Sequence, residues 1–250
     1  MADLAPSPVD SPIDHHSTSP STVQPPILTP GKVAIWLFLA TEVMFFTGLI
    51  GTYIVLRAGS PSTAYSNLFP PATDLTQVLK APPKDLVTSN WPRPYDGATN
   101  PLSIDLTAIN TFILICSSVT MVLALSAFQR NERWKGARFV TATALIGSVF
   151  LGVQVYEYYQ LMFGHHYPVG ISASGHFTPD ASLFASCFFT MTGFHGAHVA
   201  AGVVAMSILA IRSWFGAYNS TNYAAVEVVG LYWHFVDLVW ILLFTVVYLI

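Results

Sequence analysis

LFASCFFTMTGFHGAHVAAGVVAMSILAI, residues 183–211, runs without a single Asp, Glu, Lys or Arg. About 20 apolar residues in helical form cross the hydrocarbon core of a bilayer, and this stretch exceeds that length. Two imidazoles, His195 and His198, are the polar groups in it that stand out most. Working outward, four more stretches meet the same requirement: 33–56, 108–128, 139–163 and 226–250. Composition agrees. Of the 250 residues 53% are hydrophobic and 9% are charged, against roughly a quarter charged in soluble domains. So little charge cannot coat a water-soluble globule. The expected fold is all-α, a polytopic membrane bundle of five transmembrane helices.

Around these spans the sequence divides simply. Residues 1–31 are rich in Pro, Ser and Thr and read as a disordered tail. They carry neither the basic start and apolar core of a secretory signal nor the arginines of a presequence. His15 and His16 read as a solvated pair within that tail. Residues 32–250 form the membrane domain. It includes a long Pro-dense connection, 57–107, which reads either as a contact with a partner subunit or electron donor or as a solvated connector. Cys116 and Cys187 each sit in a separate apolar stretch and read as buried small apolar residues. A net charge of −3 and the lack of a basic stripe set nucleic acid aside. No internal repeat supports an inverted-repeat transporter.

Loop charge gives an orientation. QRNERWKGAR, residues 129–138, carries Arg130, Arg133, Lys135 and Arg138, whereas the connection after the third span carries no Lys or Arg. The basic side is expected to be cytoplasmic. The N-terminus is then inside and the C-terminus outside, with the 57–107 loop on the outer side. Asn219-Ser220-Thr221 matches a glycosylation acceptor, but this orientation places it inside.

Ionisable groups in hydrocarbon are costly, and each marks a function or a buried partner. Glu42 lies in the first span and Glu157 near the outer end of the third. His195 and His198 lie in the fourth, and Glu227, His234 and Asp237 in the fifth. At about 1.5 Å of rise per residue, Glu42, His195, His198, His234 and Asp237 fall within about two turns of mid-membrane. His195 and His198 are separated by three residues, as are His234 and Asp237, so each pair shares a helix face. The stripe of Glu227, His234 and Asp237 must face the bundle, and Gly193, Gly196 and Gly202 offer a close packing seam. Three readings remain open for this layer: a structural network gluing helices, a proton-handling or lipid-headgroup site, and a metal site on His195, His198 and His234. A haem-copper centre needs more His than these spans contain.

The motifs FF-x-MTGFHG-x-HV (188–199) and YWHFVD-x-VW (232–240), with TEVMFFTG (41–48) and EYY (157–159), resemble those of the haem-copper oxidase subunit III family. The likeness is to the five-helix bacterial type of cytochrome c oxidase subunit III. It implies an accessory subunit of a respiratory oxygen reductase in the bacterial plasma (inner) membrane. Such a subunit has no redox centre and no catalytic residues of its own, and its haem and copper lie in partner subunits I and II. It also implies that Glu42 corresponds to the family's carbodiimide-reactive glutamate, linked to proton uptake and to the stability of subunit I in turnover. His195, His198, Glu227, His234 and Asp237 match the family's intramembrane polar positions. Arg212 matches a basic position on a lipid phosphate, with phospholipid bound in a cleft between helices. The two leading helices of seven-helix members are missing, so another subunit must close that cleft or it is absent. FTVVYL (244–249) also resembles the quinol-oxidase branch, which leaves a quinol oxidase subunit III as one alternative. A free-standing transporter or channel is the alternative of another class.

Overall fold

A computed structural model describes residues 30–58, 102–164 and 176–249. The tail with its His15–His16 pair and nearly all of the 57–107 connection lie outside the described residues. Five long helices account for the described chain: α1 Pro30–Ala58, α2 Ile104–Gln129, α3 Arg133–Tyr159, α4 Leu183–Trp214 and α5 Ala224–Phe244. Short π-helical turns, Gln160–Gly164 and Thr245–Leu249, continue α3 and α5. All five helices are long and apolar enough to span a membrane.

Helices α1 to α4 are each longer than the apolar stretch that announces them. Backbone hydrogen bonding does not stop where hydrocarbon meets headgroup. Arg133, Lys135 and Arg138, read above as loop, therefore occupy the first two turns of α3. Only three residues, Arg130, Asn131 and Glu132, separate α2 from α3. Asn131 takes the left-handed conformation (φ 61), which Asn tolerates better than most residues. Helix α4 starts at Ser182, whose hydroxyl accepts from the Ala185 amide at 3.0 Å, a standard N-cap. It ends before Gly216 (φ 77), a helix-ending use of glycine. Asn219, the sequon residue, instead folds the α4–α5 connection. Its carboxamide oxygen accepts from the Thr221 and Asn222 amides, both at 2.9 Å.

Helices α2, α3, α4 and α5 pack as a closed four-helix bundle, α2 against α3, α3 against α4, α4 against α5, and α5 back against α2. Helix α1 lies outside, along α5 and α4. The centre of the bundle is Trp233, fully buried, and two glycines admit it. A Cβ on Gly147 of α3 would stand 2.7 Å from the indole, and one on Gly202 of α4 would stand 2.8 Å away. The expected seam is thus partly realised. Gly196 packs on Gln154, but Gly193 has nothing nearer than the Tyr158 hydroxyl at 3.9 Å.

The outward faces are as apolar as the core: Trp36, Leu37, Met44, Phe112, Leu145 and Ile208 are all exposed. Lipid tolerates such a surface and water does not. Cys116 is on that outer surface and Cys187 is partly buried. The expectation that both thiols are buried is corrected for Cys116, because helical periodicity turns residue 116 outward while Leu114 and Ser117 face in.

Candidate functional site: the intramembrane polar contacts

The polar residues of the spans do not merge into one hydrogen-bonded layer. Helix geometry distributes most of them among separate contacts between pairs of helices and leaves His195 and Arg212 outside these.

The first joins α1 to α4. Glu42 Oε2 lies 3.0 Å from His198 Nε2. Both side chains are largely sheltered, at 17% and 19% exposure. His198 Nδ1 is 2.7 Å from the Phe194 carbonyl oxygen one turn back. A carbonyl only accepts, so Nδ1 carries a proton. A carboxylate and a bare imidazole nitrogen cannot bond to each other, so a further proton must sit between Nε2 and Oε2. The contact therefore exists as imidazolium with carboxylate or as imidazole with carboxylic acid, one proton shared in either case. The Tyr232 hydroxyl donates to the His198 carbonyl at 2.9 Å, and Phe46 meets the imidazole edge-on at 5.3 Å.

The second contact joins α2 to α5. Ser118 Oγ donates to Asp237 Oδ2 at 2.6 Å, and His234 Nδ1 lies 3.1 Å from Ser118 Oγ. The hydroxyl has one hydrogen, committed to Asp237, so His234 donates to it. His234, Ser118 and Asp237 form a short directed chain. Ser118 closes it from α2, and nothing in the charge pattern of the sequence singles it out.

His195, the first imidazole of the fourth span, is in neither contact. It is fully buried, stacked on Trp240 with centroids 4.8 Å apart and flanked edge-on by Phe150. Neither of its nitrogens has a hydrogen-bond partner among the described residues.

The remaining residues lie toward the helix ends. Glu227, in the first turn of α5, pairs with Lys32 of α1 at 2.9 Å. Glu157, near the other end of the bundle, accepts from the Thr107 hydroxyl of α2 at 2.7 Å. Arg212, in the last turn of α4, is exposed and holds its guanidinium 5.8 Å from the Tyr218 ring centroid. The negative end of the helix dipole favours a cation at this position.

The three imidazoles thus address different surroundings. Among the described residues no three of His, Cys, Asp and Glu form a group that could hold a metal ion, so His195, His198 and His234 do not make up a shared three-imidazole site. Sequence reasoning also missed Gln154 and Tyr158 of α3, Thr192 of α4 and Asn110 of α2. Tyr158 and Thr192 hydroxyls meet at 2.6 Å, and Gln154 Nε2 donates to the Thr192 carbonyl at 2.9 Å. Uncharged polar residues inside apolar runs were the available signal.

Comparison with known proteins now adds identity to this geometry. The family model for cytochrome c oxidase subunit III matches residues 21–250. The chain is 33% identical to "Cytochrome c oxidase subunit 3" of Alkalihalophilus pseudofirmus over 87% of its own length and 85% of that protein. It is 33% identical to the protein of the same name from Synechocystis, over 86% of this chain and 73% of that one. Similarity extends to "Cytochrome bo(3) ubiquinol oxidase subunit 3" of Pseudomonas aeruginosa, at 31% identity over 86% of this chain and 82% of that protein. A helical membrane chain with this match along nearly its whole length belongs to the cytochrome c oxidase subunit III family, the third subunits of haem-copper oxygen reductases.

Proposed function

We propose that this chain is the accessory third subunit of a cytochrome c-type, proton-pumping oxygen reductase in a bacterial plasma membrane. It assembles there with metal-bearing subunits I and II, contributes no redox centre, and supports proton supply to subunit I and its stability in turnover. The N-terminus is inside and the C-terminus outside. Arg212 and its neighbours at the inner surface take a phospholipid headgroup. A quinol-oxidizing complex remains the second reading, favoured by the similarity to the ubiquinol oxidase subunit.

The observation that carries the proton-linked role is the Glu42–His198 contact. Its chemistry holds one proton that either partner can own, at mid-membrane depth and between the outer helix α1 and the bundle. A group of that kind can pass a proton along without creating an isolated buried charge, which hydrocarbon would penalise. The same contact pins α1 to the bundle, so supply and stability rest on one pair.

Replacing Glu42 tests this directly. Glu42→Gln keeps a hydrogen bond to the imidazole and removes the exchangeable carboxyl. The oxidase should assemble with subunit III present, yet show altered proton uptake and a changed number of turnovers before inactivation. Unchanged pumping together with an unchanged working lifetime sinks the proton-linked role and leaves only the glue. Purifying the native complex in mild detergent and asking whether reduced cytochrome c or quinol reduces its haem separates the two donor readings.

A further inference from the structure

We infer that an ordered water molecule is bound inside the α2–α5 bundle, bridging an imidazole nitrogen of His195 to the side-chain carbonyl oxygen of Gln154. Both groups are buried and both are orphaned: neither His195 nitrogen nor Gln154 Oε1 has a hydrogen-bond partner among the described residues. Buried polar atoms are almost always satisfied by protein or by ordered water. The amide cannot turn round to solve the problem, because Gln154 Nε2 is already committed to the Thr192 carbonyl at 2.9 Å.

Both orphans lie at the same turn of α4. A Cβ on Gly196 would stand 3.0 Å from Gln154 Oε1, so the carboxamide lies across α4 between Thr192 and Gly196. That is the turn that carries His195. Thr192, His195 and Gly196 are all buried on this face of α4.

Chemistry then selects water. The amide oxygen only accepts, and a neutral imidazole offers one donor and one acceptor. A species that both donates and accepts joins them in either tautomer. A hard cation would need several oxygen ligands, whereas the surroundings are the rings of Trp240, Phe150 and Phe46. Two polar contacts meet the minimum that holds a buried water.

The test uses the intact oxidase complex. A cryo-EM map that resolves ordered water should show density about 2.7–3.2 Å from one His195 nitrogen and from Gln154 Oε1. A dry site, or density that does not reach both atoms, overturns the inference. The second arm is a double-mutant cycle with His195→Leu and Gln154→Met, read as the temperature at which subunit III leaves the complex. Each variant should lower that temperature, and the double variant should lower it by less than the two losses added together, since both remove the same bridge. Additive losses, or a rise in either single variant, argue for a dry site and overturn the inference. If neither variant assembles, the map of the native complex decides.

Discussion

Ser118 illustrates what happens at the scale of one residue. Two ionisable side chains on one face of α5, His234 and Asp237, converge on a single hydroxyl from α2. Removing that hydroxyl leaves Asp237 without its hydrogen-bond donor in an apolar setting, a loss of about 1–3 kcal/mol. Ser118→Ala should therefore lower the thermal midpoint of the assembled subunit clearly. Thr52→Ala should hardly move it, because the Thr52 hydroxyl is exposed and bonds only to the Gly48 carbonyl of its own helix. Equal effects of the two substitutions would deny the His234–Ser118–Asp237 chain any special weight. The charged members were readable from the sequence as costly residues in apolar runs. Ser118 was not, since a serine in a transmembrane helix commonly does no more than bond its own backbone.

At the scale of helices, close approach decides the architecture. Trp233 is admitted by Gly147 and Gly202, and its indole N–H donates to the Ser117 hydroxyl at 2.9 Å. Without a hydrophobic driving force between helices in lipid, association depends on such packing and on interhelical hydrogen bonds. Gly147→Leu forces a side chain into the indole and should cost about 1–3 kcal/mol or more, seen as loss of subunit III from the purified complex. Gly152→Leu, on the same helix with nothing within 4 Å of its Cβ position, is the matched control and should leave assembly unchanged. Helix α1 is held differently. Its buried residues are few, Leu39, Phe46 and Tyr53, and two of its polar ties are Glu42–His198 and Lys32–Glu227. The Lys32–Glu227 pair is about one-third exposed and, screened by solvent, contributes no more than about 1 kcal/mol. Glu42–His198 is the more sheltered of the two ties.

For the whole molecule, an apolar exterior and a polar-spotted interior invert the pattern of a soluble bundle. Five antiparallel crossings put the start of α1 and the end of α5 on opposite faces, and Lys32 meets Glu227 on the starting face. The charge asymmetry predicts which face is cytoplasmic. In a variant lacking Cys116 and Cys187, a cysteine placed at Asn131 should react with a membrane-impermeant thiol reagent only from the inside. A cysteine placed at Asp180 should react only from the outside. The reverse result overturns the orientation.

Apolar length alone determined that the described residues include five helices able to span a membrane, because hydrocarbon demands about 20 apolar residues per crossing whatever the helices later contact. The motifs of the fourth and fifth spans determined the family. Neither could assign partners. Which carboxylate meets which imidazole depends on how helices are rotated and how deep each lies, and only packing around residues such as Trp233 fixes that. Depth arithmetic put Glu42, His195, His198, His234 and Asp237 in one layer. The tertiary structure divided that layer into a shared-proton pair on α1 and α4, a serine-bridged chain on α2 and α5, and a lone imidazole against Trp240. Hydrogen bonds reach only about 3 Å, so residues at one depth but on different faces never meet.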